Sequence, residues 1–194
     1  MSRIEPRPLE EVPQFKDMLL KGAETMGFLS DDGLIMAHCP EMLAGTGSMI
    51  NSILFSGSID GGLKRMIGYL VSQSSGCQYC SAHTSFTSAK HGISESKMKA
   101  IWNYQSSPLF TDKEKAALQL AHHAGTHPNA ATDEDFELLK AHFNTQEIVE
   151  IVFTISLYGF LNKFNDTMKT TIEDKPLQAM EKIKGKNEIP TAIK

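Results

Sequence analysis

Helix signals follow one another along this chain almost without a break, and none of its segments is typical of a strand. The clearest signal is an apolar stripe at helical spacing within residues 59–71, formed by Ile59, Leu63, Met66, Ile67, Leu70 and Val71. No segment alternates apolar and polar residues over a strand length, and no Asn-Gly or Asp-Gly pair joins two apolar runs as a hairpin turn would. The pattern predicts an all-α fold, a bundle of roughly eight helices.

Residues that favour helix starts occur at the expected boundaries. Thr111 is followed three residues later by Glu114, which is a capping-box sequence. Asn144 and Glu147 repeat this arrangement ahead of a long apolar segment. These pairs predict that separate helices begin near residues 112 and 145.

The segment 148–161 is apolar on nearly every side, and a helix of this kind has to be covered all round. The cover is either the rest of the core or a second subunit, and a central core helix is the simpler interpretation. The segment is too short to span a bilayer. The N-terminal residues lack the apolar run of a signal peptide. We therefore expect a cytoplasmic protein with no membrane partner.

The prolines suggest how the chain is divided. Pro6, Pro8 and Pro13 predict an extended N-terminal arm over residues 1–13. Residues 14–181 carry the helix signals and form the predicted single helical domain. Residues 182–194 are rich in lysine and are predicted to be a loose tail.

The composition excludes several classes of protein. Of the 194 residues, 41% are hydrophobic and 22% are charged, which is typical of a soluble globular domain and not of a disordered or collagen-like chain. The 19 basic and 23 acidic residues give a net charge of −4, so the chain has no basic excess with which to bind nucleic acid. Only three cysteines are present, an odd number that is typical of a reducing compartment.

The motif with the clearest chemistry is the pair Cys77 and Cys80, followed by His83. Cysteines three residues apart at the start of a helix share one face and lie close enough to form a disulfide. The free amides and the dipole at a helix N-terminus favour the thiolate. A thiolate beside a second thiol suits peroxide reduction or disulfide exchange. His83 can reach the same face of the helix and move a proton.

The stretch from Ser74 to His83, with Gly92 twelve residues after Cys80, resembles the AhpD-like superfamily. This superfamily holds the alkylhydroperoxidase D proteins and the carboxymuconolactone decarboxylases. The similarity continues downstream in segments 101–118, 147–151 and 159–168, so it spans roughly residues 45–170. The resemblance implies an AhpD-like all-α helical bundle that assembles as a homo-oligomer, either a dimer, a trimer or a hexamer.

The same resemblance implies a cysteine-dependent hydroperoxide reductase. In this scheme the Cys80 thiol attacks the peroxide, Cys77 resolves the product as a disulfide, and His83 handles protons. The implied substrate is a small-molecule hydroperoxide. The implied reductant is a dithiol carried by a thioredoxin-like or lipoyl protein. We expect no cofactor and no metal.

Two positions depart from the best-studied pattern of the superfamily. That pattern has a Glu twelve residues before its first cysteine, where this chain has Arg65, which could hold the thiolate by charge or orient an anionic substrate. It also has a His four residues after its second cysteine, where this chain has Thr84, with His83 one place earlier. Asp166 and Glu24 are candidates to replace the missing acid.

Other interpretations stay open. The same fold could carry a lactone decarboxylase that does not depend on the cysteine pair. Alternatively, the pair could act as a redox sensor or a zinc clip in a non-catalytic oligomer. Tyr79, between the cysteines, is most simply a packing residue at the mouth of the site, with proton donation as the alternative. Cys39 has no partner in the sequence and is expected to be a buried, inert thiol.

Overall fold

The computed structural model describes residues 1–184. Within this range it contains ten α-helices and no strand, which confirms the all-α prediction, and eight of the ten helices have at least seven residues. The helices are α1 Lys16–Met26, α2 Asp31–Met36, α3 Pro40–Leu54, α4 Gly61–Ser74, α5 Gln78–Lys90, α6 Glu95–Lys99, α7 Asp112–Ala124, α8 Asp133–Lys140, α9 Thr145–Met168 and α10 Asp174–Lys184.

Helix α4 lies at the centre of the bundle, where it packs against α5, α7 and α9. Its predicted apolar stripe is confirmed, since Met66, Ile67 and Leu70 are fully buried. Lys64 and Arg65 on the same helix are buried as well. Helix α4 is therefore enclosed on its charged side as well as on its apolar side. Such enclosure is unusual, because lysine and arginine are rarely fully buried.

The predicted helix starts are confirmed by hydrogen bonds. The side chain of Thr111 accepts from the amide of Glu114, and the Glu114 carboxylate accepts from the amide of Thr111. Asn144 and Glu147 make the same reciprocal pair at the start of α9. Helix α4 begins behind Asp60, whose carboxylate accepts hydrogen bonds from two amides of the first turn.

Helix α9 has both a buried and an exposed apolar face. Ile151 and Leu157 are buried against α4 and its neighbours. Val149, Phe153 and Phe160, by contrast, are 49%, 57% and 45% exposed. The helix is thus a core helix, as predicted, but one side of it presents an uncovered apolar stripe.

The two ends of the described range differ in detail from the predicted arm and tail. The arm contains the short 3-10 helix Leu9–Glu11, and Val12 is fully buried in the core. Helix α10, which the sequence analysis did not predict, runs to Lys184. The remainder of the predicted tail, 185–194, lies outside the described residues. Among residues 1–184, no helix has the length and apolar character needed to cross a membrane.

Candidate dithiol site

The cysteine pair lies where α5 begins. Gly76 has a φ of +84°, which lets the chain turn sharply between α4 and α5. Cys77 is the N-cap residue of α5, and Cys80 lies in its first turn. Both side chains are buried, at 0% and 4% exposure. The pair therefore sits at the positive end of the α5 dipole, which favours the thiolate, while its burial opposes ionisation.

Each thiol has a distinct polar neighbour. The two thiols hydrogen-bond each other. Cys80 Sγ also accepts a hydrogen bond from Asn165 Nδ2 at 3.6 Å, and the Cys77 thiol hydrogen-bonds the carboxylate of Asp166. Burial raises the pKa of Cys80 well above its ordinary value, and the bond to Cys77 adds to that rise, whereas the Asn165 bond opposes it.

Asp166 is thus the one predicted candidate acid that contacts a thiol. Burial raises its pKa, while the hydrogen bond from Cys77 and the charge of Lys163 act in the opposite direction. A carboxyl group of this kind, beside a thiol, can accept the thiol proton. Glu24, the other predicted candidate, is exposed on α1.

His83 makes its polar contact with an acid that the sequence analysis missed. His83 Nε2 lies 2.6 Å from Glu173 Oε2, and the Tyr79 hydroxyl donates to Glu173 Oε1 at 2.9 Å. The rings of Tyr79 and His83 lie against each other with centroids 4.1 Å apart. Glu173, just ahead of α10, therefore fixes both side chains of α5, and Tyr79 is more than a packing residue.

Asp32 connects this cluster to the thiols. Its backbone N–H donates to the Tyr79 hydroxyl at 3.3 Å. Its carboxylate accepts from Asn165 Nδ2 at 3.3 Å, and the same amide group donates to Cys80 Sγ. Hydrogen bonds consequently connect Glu173, Tyr79, Asp32 and Asn165, in that order, to Cys80 Sγ. The charges and proton positions of these groups are therefore coupled.

The pKa values of Asp31 and Glu173, two acids of this network, are shifted in opposite directions. Burial raises the pKa of Asp31 to about 6, helped by the neighbouring charges of Glu173 and Asp32. Burial would raise the pKa of Glu173 too, but its bonds to His83 and to the Asp31 amide hold the pKa below its ordinary value. At neutral pH, Glu173 is therefore ionised and able to hold His83.

Arg65 lies on α4, apart from the hydrogen bonds that hold the thiols. Its side chain is 4% exposed, and its guanidinium hydrogen-bonds the hydroxyl of Tyr158. Its Cζ lies 5.4 Å from the centroid of the Phe55 ring. Burial raises the pKa of Tyr158 and the charge of Cys80 adds to that rise, whereas the charge of Arg65 and its hydrogen bond lower it.

Thr84 and Cys39 have surroundings that the sequence did not predict. The hydroxyl of Thr84 donates to the backbone oxygens of Cys80 and Ser81, at 2.7 and 3.0 Å, so it supports the helix and not the sulfur. Cys39 is exposed, so the expectation of a buried thiol is wrong. Among residues 1–184, no three His, Cys, Asp or Glu side chains are grouped so as to hold a metal ion.

The residues that sequence reasoning missed come from distant segments. Asp32, Tyr158 and Glu173 reach the site only through the packing of α2, α9 and α10, and no local spacing marks them. Asn165 is adjacent to the candidate Asp166, so the resemblance over 159–168 was the one available signal for it.

Comparison with known sequences places the chain among proteins of one family. The sequence model of the carboxymuconolactone decarboxylase family matches residues 40–123, which include both site cysteines. The uncharacterised protein YnjA of Escherichia coli (strain K12) is 30% identical over 128 residues, which is 66% of this chain and 68% of YnjA. The uncharacterised protein YdfG of Bacillus subtilis (strain 168) is 27% identical over 113 residues, or 57% and 76% of the two chains.

Solved structures extend the similarity to nearly the whole chain. The debrominase Bmp8 in its apo form superposes with a TM-score of 0.87 at 27% identity, covering 93% of this chain and 97% of its own. A cysteine-to-alanine variant of Bmp8 was solved in complex with 2,3,4-tribromopyrrole, and it superposes with a TM-score of 0.88. An AhpD-core, peroxidase-related protein from Ralstonia eutropha JMP134 shares the fold, with a TM-score of 0.80, 19% identity and coverage of 90% and 94%. The chain belongs to the carboxymuconolactone decarboxylase family.

Proposed function

We propose that the chain is a dithiol-dependent reductase that reduces a small organic hydroperoxide. The observation that carries this proposal is the buried Cys77–Cys80 pair at the start of α5, with Asp166 on one thiol and Asn165 on the other. Such a pair can supply two electrons and two protons while it closes to a disulfide.

The reaction balances in two steps. The attacking thiolate forms a bond to one peroxide oxygen while the O–O bond breaks, which gives a sulfenic acid and an alkoxide that takes up a proton to leave as the alcohol. The second thiol then attacks the sulfenic sulfur, water leaves, and the disulfide forms. A dithiol protein, such as a thioredoxin-like or lipoyl partner, reduces the disulfide and restores the pair.

The first thiol has to lose its proton, and the surroundings of the two thiols bear on which one does so. Cys80, the attacking thiol in the resemblance, has a raised pKa, but Asn165 donates to its sulfur and so favours its thiolate. Cys77 contacts Asp166, the neighbouring carboxylate. We propose Cys80 as the attacking thiol, with Cys77 resolving and His83 held by Glu173 as a proton-handling group.

The test is a thiol titration in a Cys39→Ser background, so that only the pair is counted. Addition of an organic hydroperoxide should consume both thiols and yield one alcohol per disulfide. Cys77→Ser should react once and stop at a sulfenic acid that dimedone traps, whereas Cys80→Ser should lose turnover. A pair that stays reduced, or full turnover by Cys80→Ser, contradicts the proposal.

A second candidate reaction is favoured by the similarity to Bmp8 over more than nine-tenths of both chains. The same two electrons could reduce an aryl carbon–bromine bond, giving a carbon–hydrogen bond, bromide and the disulfide. Bromide release from 2,3,4-tribromopyrrole by the reduced protein, without hydroperoxide turnover, would make reductive debromination the activity.

The remaining alternatives have separate readouts. Decarboxylation of a lactone carboxylate that survives the double change Cys77→Ser and Cys80→Ser would indicate a redox-independent enzyme. One zinc per purified chain, lost when the cysteines are blocked, would indicate a zinc clip in place of a redox pair.

A further inference from the structure

Arg65 is a buried cation that lacks an acidic partner. Its side chain is 4% exposed, and its Nε and Nη1 groups have no hydrogen-bond partner among residues 1–184. No carboxylate within that range forms an ion pair with it. A buried guanidinium with unused donors is unfavourable in the folded protein, so an arrangement of this kind calls for an anion from outside the chain.

Two acids near the start of α4 are already engaged. Glu150 forms an ion pair with Lys64 at 2.6 Å, where it also accepts from the amides of Ser58 and Ile59. Asp60 caps α4 through two of its amides. These contacts leave the Arg65 donors free for a ligand.

The other neighbours of Arg65 are an uncharged imidazole and an apolar ring. The charge of Arg65 adds to the burial that lowers the pKa of His91, which keeps that ring uncharged at neutral pH. The Phe55 ring, which is 52% exposed, lies over the guanidinium.

Tyr158 relates this cation to the thiols. Its hydroxyl hydrogen-bonds Arg65, and the charge of Cys80 acts on the pKa of the same hydroxyl. The ring fits against Gly68, where an added Cβ would lie 2.2 Å from Cε2 of the ring. Gly68 therefore lets the Tyr158 ring of α9 pack closely against α4, the helix that carries Arg65.

We propose that Arg65 binds a carboxylate on the substrate, so that the substrates of the dithiol site are hydroperoxides of carboxylic acids. A guanidinium binds a carboxylate through two parallel hydrogen bonds, and Nε and Nη1 are the two donors available here. This inference rests on the proposed reductase function, since it assigns the chemical class of that enzyme's substrate.

The test compares a fatty-acid hydroperoxide with its methyl ester, which differs only in the carboxylate charge. The wild-type protein should show a kcat/KM for the acid at least about tenfold above that for the ester, the size expected for a charged hydrogen bond. In Arg65→Met the ratio should fall to about one, and in Arg65→Lys it should be intermediate because the fork geometry is lost. Lys99→Met, which removes an exposed charge on α6, should leave the ratio unchanged.

A binding measurement keeps this inference separate from the proposed function. The corresponding hydroxy acid should bind calorimetrically to the Cys77→Ser/Cys80→Ser protein more tightly than its methyl ester, and Arg65→Met should remove that difference. If neither hydroperoxide oxidises the dithiol but the acid still binds through Arg65, the reductase function fails and the carboxylate site stands.

Three results would overturn the inference. Equal kcat/KM for acid and ester in the wild-type protein would show that the carboxylate is not recognised. An equal loss on both substrates in Arg65→Met would show that Arg65 holds the thiolate instead. A change in oligomer size in Arg65→Met, with the ratio preserved, would show that Arg65 meets a carboxylate of a second copy.

Discussion

Asn165 is the residue on which the thiol and acid parts of the site converge. Its amide group donates both to Cys80 Sγ and to Asp32, while its own buried Oδ1 has no partner among residues 1–184. Because Nδ2 makes two hydrogen bonds while Oδ1 makes none, the fold holds this amide with Nδ2 directed at Cys80 and Asp32. The orientation of Asn165 therefore bears directly on how readily the sulfur ionises.

We expect Asn165→Leu to slow alkylation of Cys80. The substitution keeps the approximate shape but removes the hydrogen bond that lowers the thiol pKa, so the pKa of Cys80 should rise further above its ordinary value. The loss of one hydrogen bond corresponds to about a fivefold lower alkylation rate below that pKa. The measurement is the pH profile of iodoacetamide reaction in a Cys39→Ser/Cys77→Ser background.

Asn162→Leu is the matched control for this experiment. Asn162 lies one turn earlier on α9, and its side chain bonds Ser72 of α4 and Ser75 at the end of that helix in place of a thiol. Its loss should lower the stability of the protein but leave the alkylation profile of Cys80 in place. Equal slowing by both substitutions would mean that general loosening of α9, and not the bond to the sulfur, controls the reaction.

At the scale of elements, the packing of α4 against α9 depends on Gly68, which has no side chain. The Tyr158 ring of α9 occupies the space in which a Cβ of Gly68 would lie. Glycine inside a helix is ordinarily unfavourable, so its presence in α4 indicates that the close approach of the ring outweighs this cost. The close packing of α4 against α9 therefore depends on the contact between Gly68 and Tyr158.

We expect Gly68→Ala to destabilise the protein by about 1–3 kcal/mol, because the added methyl group has to displace a buried ring. Gly159→Ala on α9 is the control, since an added Cβ there meets nothing within 4 Å. That substitution should stabilise the protein by about 0.4–1 kcal/mol. Urea unfolding measures both, and a Gly68→Ala protein as stable as the wild type would contradict the packing described here.

The same elements show what local sequence could and could not predict. The capping boxes at Thr111 and Asn144 and the thiols at the start of α5 were predictable, since each depends on residues three apart on one helix. Glu173 was not, because it reaches His83 across 90 residues of chain. Helix α10 carries buried Pro176 and Met180 at helical spacing, a signal too short to separate it from a tail.

At the scale of the whole molecule, the exposed stripe of α9 bears on assembly. Val149, Phe153 and Phe160 are partly open to solvent, and Phe55 at the end of α3 is 52% exposed. Exposed apolar residues that form a continuous stripe are typical of protein interfaces. We expect a second copy of the chain to cover this stripe, in agreement with the homo-oligomer that the superfamily resemblance implies.

We expect Phe153→Glu to dissociate this assembly. A charge placed in an apolar interface is buried without a partner, so the sedimentation coefficient should fall to that of a smaller species. Leu138→Glu is the control, because Leu138 is 44% exposed on α8, outside the stripe. A wild-type protein that sediments as a monomer at micromolar concentration would show that the stripe has another role.

The order in which the site's groups occur along the chain has a consequence for biosynthesis. Both thiols leave the ribosome long before Asn165, Asp166 and Glu173, since the cysteines lie at 77 and 80. A nascent chain therefore exposes an unprotected dithiol, without the amide and acids that hold it, for the time needed to translate about 90 more residues, several seconds. The amide and acids that contact the thiols, Tyr79 and His83 are in place only once α9 and α10 pack against α5.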